Sequence, residues 1–203
     1  MRVTFLLMLL FKITSALAGS GSLYSYSVHE RSRILLTGTT NVNSYECVSD
    51  SEIPRGSLMA DFLPGSNAIY FNDAILVLEV SSFDCGNRLM NKDLHQALGG
   101  SESPFIEINL LEARPVSSMQ RPNSGKIRVE ISININGTTK NTDLVVDYRN
   151  ADRYNYIISG SKELKMSDFG IDPPSPALGL VRVRDQVVIH FDLLVEANLI
   201  TQN

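Results

Sequence analysis

The chain has 203 residues, 43% hydrophobic and 20% charged, with a mean hydropathy of +0.00. That balance excludes wholesale disorder and is enough for one domain with a sizeable core. The net charge is −4 and the basic residues are scattered, which excludes the basic stripe of a nucleic-acid-binding protein, and the lack of tryptophan argues against a sugar groove built on stacked rings.

Residues 1–18 read as a secretory signal peptide. Arg2 gives a positive start, Phe5 to Phe11 is an apolar run, and Ala16-Leu17-Ala18 is a small-x-small cleavage site before Gly19. A membrane anchor is the weaker reading, because Lys12 ends the run and a span needs about 20 apolar residues. No cysteine sits at the cleavage point to carry a lipoprotein anchor. The segment holds two of the 18 basic residues and none of the 22 acidic ones, so its removal takes the net charge from −4 to −6. An acidic surface repels anionic headgroups, so stable membrane insertion is not expected. The mature chain, 19–203, is expected to be a single domain in the periplasm or secreted. A homodimer is compatible with all of this. Export also places Cys47 and Cys85 in an oxidising compartment, where a lone pair tends to be joined.

The dominant period along the mature chain is two. Strands are expected at 23–28, 32–38, 41–48, 68–71, 74–83, 105–113, 127–135, 142–148, 154–165 and 186–196. The clearest is 127–135, where Ile127, Val129, Ile131, Ile133 and Ile135 alternate with Arg128, Glu130, Ser132 and Asn134. One face is β-branched and the other polar, as in a half-buried antiparallel strand. It ends at Asn136-Gly137, a hairpin dipeptide that tolerates positive φ. Further turn chemistry lies at Asn72-Asp73, Pro115, Pro122 to Gly125 and Pro173-Pro174. One segment departs from the period. Over 87–98, Leu89, Met90, Leu94, Ala97 and Leu98 fall near helical spacing, and Gly99-Gly100 stops the helix. Many one-sided strands in succession imply a sandwich or a barrel, and closure removes exposed edges.

The catalytic inventory is thin. His29, His95 and His190 have no metal-type spacing, and the chain holds no G-x-S-x-G elbow, P-loop or dinucleotide fingerprint. His190 and Asp192 share the polar side of the last strand and read as a solvated pair. His95, beside Asp93, reads as helix surface, and His29 as a charged turn. Asp168 and Asp172 flank Phe169-Gly170-Ile171, but turn formation before two prolines explains Asp172 without the paired acids of a glycosidase. No catalytic residue, metal site or cofactor is expected.

Several stretches, in order, carry a resemblance: Gly38-Thr39-Thr40-Asn41-Val42-Asn43, the helical Asn87 to Leu94, Pro104-Phe105-Ile106-Glu107-Ile108, Gly137-Thr138-Thr139-Lys140, Leu164 through Phe169-Gly170-Ile171-Asp172-Pro173-Pro174, and Asp185 to Asp192. Together they resemble the YceI-like family of lipid- or polyisoprenoid-binding bacterial envelope proteins. The resemblance implies an all-β fold, an eight-stranded antiparallel lipocalin-like barrel with one short helix. It also implies an elongated apolar cavity holding a polyisoprenoid such as a quinone tail. The chain departs from the family in lacking an aromatic- and histidine-bearing opening segment, and the cysteine pair is not a general family feature. On this reading the lining is Leu76, Leu78 and Val80; Met90 and Leu94; Ile106, Ile108 and Leu110; Val129, Ile131 and Ile133; Phe169; and Ile189, Phe191 and Leu193. The same residues serve equally as plain core, since periodicity does not separate core from lining. A barrel with a packed interior that docks another envelope protein is the alternative. An enzyme would need a polar constellation inside.

Overall fold

The computed structural model describes residues 21–63, 65–116, 123–175 and 177–200; the expected signal peptide lies outside them. The strands are β1 (Ser22–Val28), β2 (Arg33–Thr40), β3 (Ser44–Ser49), β4 (Gly56–Phe62), β5 (Ile69–Asn72), β6 (Ile75–Glu79), β7 (Phe83–Asp84), β8 (Phe105–Pro115), β9 (Ser124–Ile135), β10 (Thr138–Asn150), β11 (Asn155–Lys165) and β12 (Val183–Leu199). One helix, α1 (Arg88–Ala97), lies between β7 and β8.

These segments make an eight-stranded antiparallel ring. The 17-residue β12 pairs along its first part with β2 and along its last part with β1, so β1 and β2 are one strand. The chain bends between them at a turn closed by Ser32 N–H to His29 O (2.9 Å). Likewise β3 pairs with β2 and β4 with β1. Strands β5 and β6 lie against successive parts of β8, and β6 runs on through a short 3-10 turn (Val80–Ser82) into β7. Strands β8 to β12 complete the ring in chain order. Each neighbour in sequence is a neighbour in space, the least demanding way to close a sheet.

Local chemistry fixes the corners. The β9–β10 hairpin turns on Asn136 (φ 50°) and Gly137 (φ 75°), so both central residues adopt the left-handed backbone that the Asn-Gly dipeptide permits. At Asn72-Asp73 the expected turn is a kink within one strand instead. Asp73 takes φ 61°, and Leu110 N–H bonds Ala74 O at 2.9 Å, so β8 stays paired across the break. The strand expected at 74–83 is split by the 3-10 turn. Strand β4 was not expected from the sequence. Gly56, Ser57 and Asp61 have low strand propensity, and it forms because β1 and β5 flank it on both sides.

The expected disulfide is present. Cys47 on β3 is fully buried and bonded to Cys85 just after β7, their Cα atoms 3.9 Å apart. Between β3 and β7 only Val48↔Asp84 and Ser49↔Phe83 pair, so the covalent link reinforces a short seam. Helix α1 starts where Asn87 Oδ1 accepts from Leu89 N–H (2.9 Å) and Met90 N–H (3.2 Å), an N-cap. Its buried side is narrower than the spacing indicated. Leu94, Ala97 and Leu98 pack on the core, whereas Leu89 is exposed.

Candidate ligand-binding site within the barrel

Paired residues on adjacent strands share a face, so the register identifies what points inward. On β9 the inward set is Ile127, Val129, Ile131, Ile133 and Ile135; on β12 it is Val187, Ile189, Phe191 and Leu193. Of the 15 expected lining residues, 14 belong to one hydrophobic cluster. Met90, on the first turn of α1, is half-buried and outside that cluster. Phe169 belongs to it through a 3-10 turn, Met166–Phe169, whose Met166 and Phe169 are both buried. This turn was not expected from the sequence.

The interior is not uniform. In one half, around Ile34, Leu36, Val80, Phe83, Ile106 and Ile133, most side chains are buried, with Leu76, Ile108 and Ile189 half-buried among them. In the other half, ringed by β1, β4, β5 and the adjoining ends of β8 to β12, several of the larger inward side chains stay half-buried, between buried residues such as Ala60, Ala113, Val129 and Val146. Tyr24, Leu58, Phe71, Ile127, Ile158 and Leu193 are examples of the half-buried set. Inward apolar groups that keep solvent contact mark this end as the mouth of the ring, the place where an apolar ligand would reach the lining. The rim of the same end is apolar as well. Phe62 (57% exposed), Leu63, Val116, Tyr154, Leu199 (57%) and Ile200 stand there.

Aromatic rings over glycines shape the interior. Methyl groups built at Gly38, Gly56 and Gly160 would lie 2.3 Å from Tyr45 Oη, 2.6 Å from Tyr26 Oη and 2.8 Å from Phe191 Cζ. Each glycine therefore makes room for a cross-strand ring, a device that also steadies the glycine itself. Tyr26 Oη donates to Ile75 O at 2.9 Å, and burial raises the phenol pKa of both Tyr26 and Tyr45.

The wall is discontinuous between β10 and β11. β10 and β11 pair only from Asp147↔Ser159 to Asn150↔Tyr156, then separate. The Met166–Phe169 turn packs against β10, β11 and β12 at the far end of that gap. It is held there by Asp185, whose carboxylate accepts from Ser167 N–H (2.8 Å) and Ser167 Oγ–H (2.6 Å). These two bonds, with Lys165 nearby, hold the Asp185 carboxyl below its usual range. In the gap lies a residue absent from the expected sets. Lys162 pairs with Ile189 and so shares its inward face, and its half-buried side chain donates from Nζ to Asp143 O at 2.6 Å, on the unpaired edge of β10. The alternation Ile158, Gly160, Lys162, Leu164 was the available signal. A glycine and a lysine in it obscured the inward face.

The other titratable candidates fall outside the barrel. His190 and Asp192 are exposed on the outer face, where His190 Nε2 lies 3.2 Å from Thr37 Oγ1. This is the solvated placement expected. His29 is an exposed turn residue that accepts from Arg31 N–H (3.1 Å). His95 differs from expectation. It is half-buried, and its Nε2 lies 2.9 Å from Phe83 O, tying α1 to β7. Asp168 and Asp172 are both exposed, on either side of the buried Phe169 and Ile171. Among the described residues the buried acid is Glu112, at a β8 bulge. Its partner Arg114 and the Tyr70 hydroxyl hold the Glu112 carboxyl low, against the opposing effect of burial. Among the described residues, no group of three His, Cys, Asp or Glu side chains is placed to hold a metal. Two open concavities mark the outer surface. One, of about 520 Å³, lies over Thr37, Glu46, Glu163 and Gln186; the other, of about 420 Å³, lies over Leu111, Arg128, Asn141 and Asp143.

A model of the YceI-like domain matches residues 36–195, a span that takes in β2 through most of β12. The chain belongs to the YceI-like family. Two solved structures share this YceI-like barrel at low identity. A polyisoprenoid-binding domain from Saccharophagus degradans, implicated in plant cell wall breakdown, superposes with a TM-score of 0.62 and 12% identity. That match covers 86% of this chain and 98% of that one. Burkholderia cenocepacia BcnA superposes with a TM-score of 0.59 and 18% identity, covering 83% and 99%. No curated protein matches the sequence.

Proposed function

We propose that this YceI-like protein is an exported carrier that holds the apolar tail of a lipid, of isoprenoid or quinone type, inside its barrel. It serves transport, storage or sequestration and carries out no chemistry on its cargo. The observation that carries the reading is the half-buried inward lining of one barrel half behind an apolar rim. The polyisoprenoid-binding domain that shares the fold supports the ligand class, and the expected signal peptide supports a periplasmic or secreted location. An eight-stranded barrel has room either for its own side chains or for one slim ligand. Tail burial alone gives useful affinity, since each buried methylene contributes about 0.8 kcal/mol.

The test is calorimetric titration with a chain-length series: geraniol, farnesol and geranylgeraniol. A carrier binds each longer alcohol more tightly. Leu193→Arg, which sets a charge among the inward side chains, weakens all three by at least tenfold. Absence of binding across the series overturns the proposal. It would favour the second reading, a packed barrel whose exposed apolar rim docks another envelope protein or a second copy of the chain.

A further inference from the structure

We infer that Lys162 is a polar anchor of the barrel, holding the anionic headgroup of an amphiphile at the gap between β10 and β11 while the tail lies toward the half-buried mouth of the ring. The inference rests on the carrier reading and deepens it by specifying the cargo as acidic.

Three observations converge on Lys162. First, its register puts the stem on the inward face, level with Ile189 and between Gly160 and Leu164 on its own strand. A long cation on an otherwise apolar face is unusual unless something of opposite charge or strong polarity meets it. Second, its charge is uncompensated. Its hydrogen-bond partner is a main-chain carbonyl, Asp143 O. The Asp143 carboxylate is engaged by Arg128, and Glu163, on the opposite face of β11, bonds Gln186. Among the described residues, no carboxylate lies within 4.0 Å of the Lys162 amine. Third, the amine reaches a stretch of the wall where strands run unpaired. Beyond Asp147↔Ser159 the edge of β10 lacks a β11 partner. A headgroup lodged there meets an ammonium donor and the solvated strand edge. Its tail, directed past Ile158 and Leu193, meets the half-buried lining. The Met166–Phe169 turn blocks the opposite direction.

A purely structural lysine would do no more than satisfy the Asp143 carbonyl and would be indifferent to ligand charge. The experiment uses the mature, disulfide-bonded protein and three ligands with one tail: farnesol, farnesoic acid and farnesyl phosphate, each titrated at low and high salt. At low salt at least one of the two acids is expected to bind tenfold or more tightly than farnesol, and the better acid identifies the headgroup. Added salt erodes that preference. Lys162→Gln, which keeps a hydrogen-bond donor but removes the charge, brings both acids to the affinity that farnesol has in the same variant; Lys162→Arg retains the preference. Equal affinities for all three in the wild type overturn the anchor while leaving the carrier reading intact. So does a preference that persists in Lys162→Gln. Absence of binding by all three overturns both. The wild-type comparison needs no variant to fold.

Discussion

A methyl group at Gly160 would meet Phe191 Cζ at 2.8 Å, so the ring must shift to admit it. Gly160→Ala is therefore expected to destabilise the fold by about 1–3 kcal/mol, the usual range for overpacking, as measured by urea denaturation. An unchanged midpoint would mean that the ring relocates freely. Asp185 gives a pH-dependent counterpart. Its carboxyl is held below the ordinary aspartate range by two bonds from Ser167. The unfolded chain therefore takes up the proton at a higher pH than the folded one. The stabilisation is complete above the unfolded pKa and is lost as pH falls through the lowered folded value. Asp185→Asn should melt below the wild type at pH 7, with the gap closing below about pH 4; a constant gap from pH 7 to 3 would contradict this. At this scale the sequence was uneven. Alternation identified Ile131, Phe191 and Leu193 as inward. It passed over Lys162 and Glu112, because a charged residue in a strand reads as solvated unless its register is known. It also misjudged His95, whose bond to Phe83 O is a tertiary contact.

Elements were more legible where local and tertiary preferences agree. The β9–β10 hairpin has an unbroken β-branched face and an Asn-Gly turn, and both were readable without any partner strand. The α1 stop was written in Gly99-Gly100, whereas its cap at Asn87 was passed over. Strand β4 was not legible, because its composition opposes a strand and only ring closure makes it one. The kinks that divide β1 from β2 and β5 from β6 looked like ordinary turns, since a local sequence does not state that both flanks pair with one long strand. Two predictions belong here. Cys47→Ser with Cys85→Ser opens a link of 38 residues across the short β3–β7 seam. In the chain-entropy model the loss is about 4 kcal/mol. Thermal melting should drop by several degrees or more, and equal melting of the oxidised and serine forms would contradict it. Asn87→Ala removes both cap bonds and should destabilise by about 1 kcal/mol; a denaturation midpoint equal to the wild type's would contradict it.

At the scale of the whole molecule, closure divides the interior unequally. One half is filled by aliphatic side chains, Phe83 and the Met166–Phe169 turn. At the other end several of the larger side chains that cross-strand pairing directs inward stay half-buried, among buried residues such as Ala60 and Ala113. Sequence periodicity carried the barrel but not this asymmetry, since filled and vacant interiors demand the same alternation. The asymmetry matters for function, because a slim apolar chain fits only where the protein has not packed against itself. The most direct measurement is extraction of the natively folded, purified protein with organic solvent, followed by mass spectrometry. The account predicts a long-chain apolar lipid at close to one per barrel, displaced by added geranylgeraniol. A barrel that yields no lipid and takes up none when offered would contradict it.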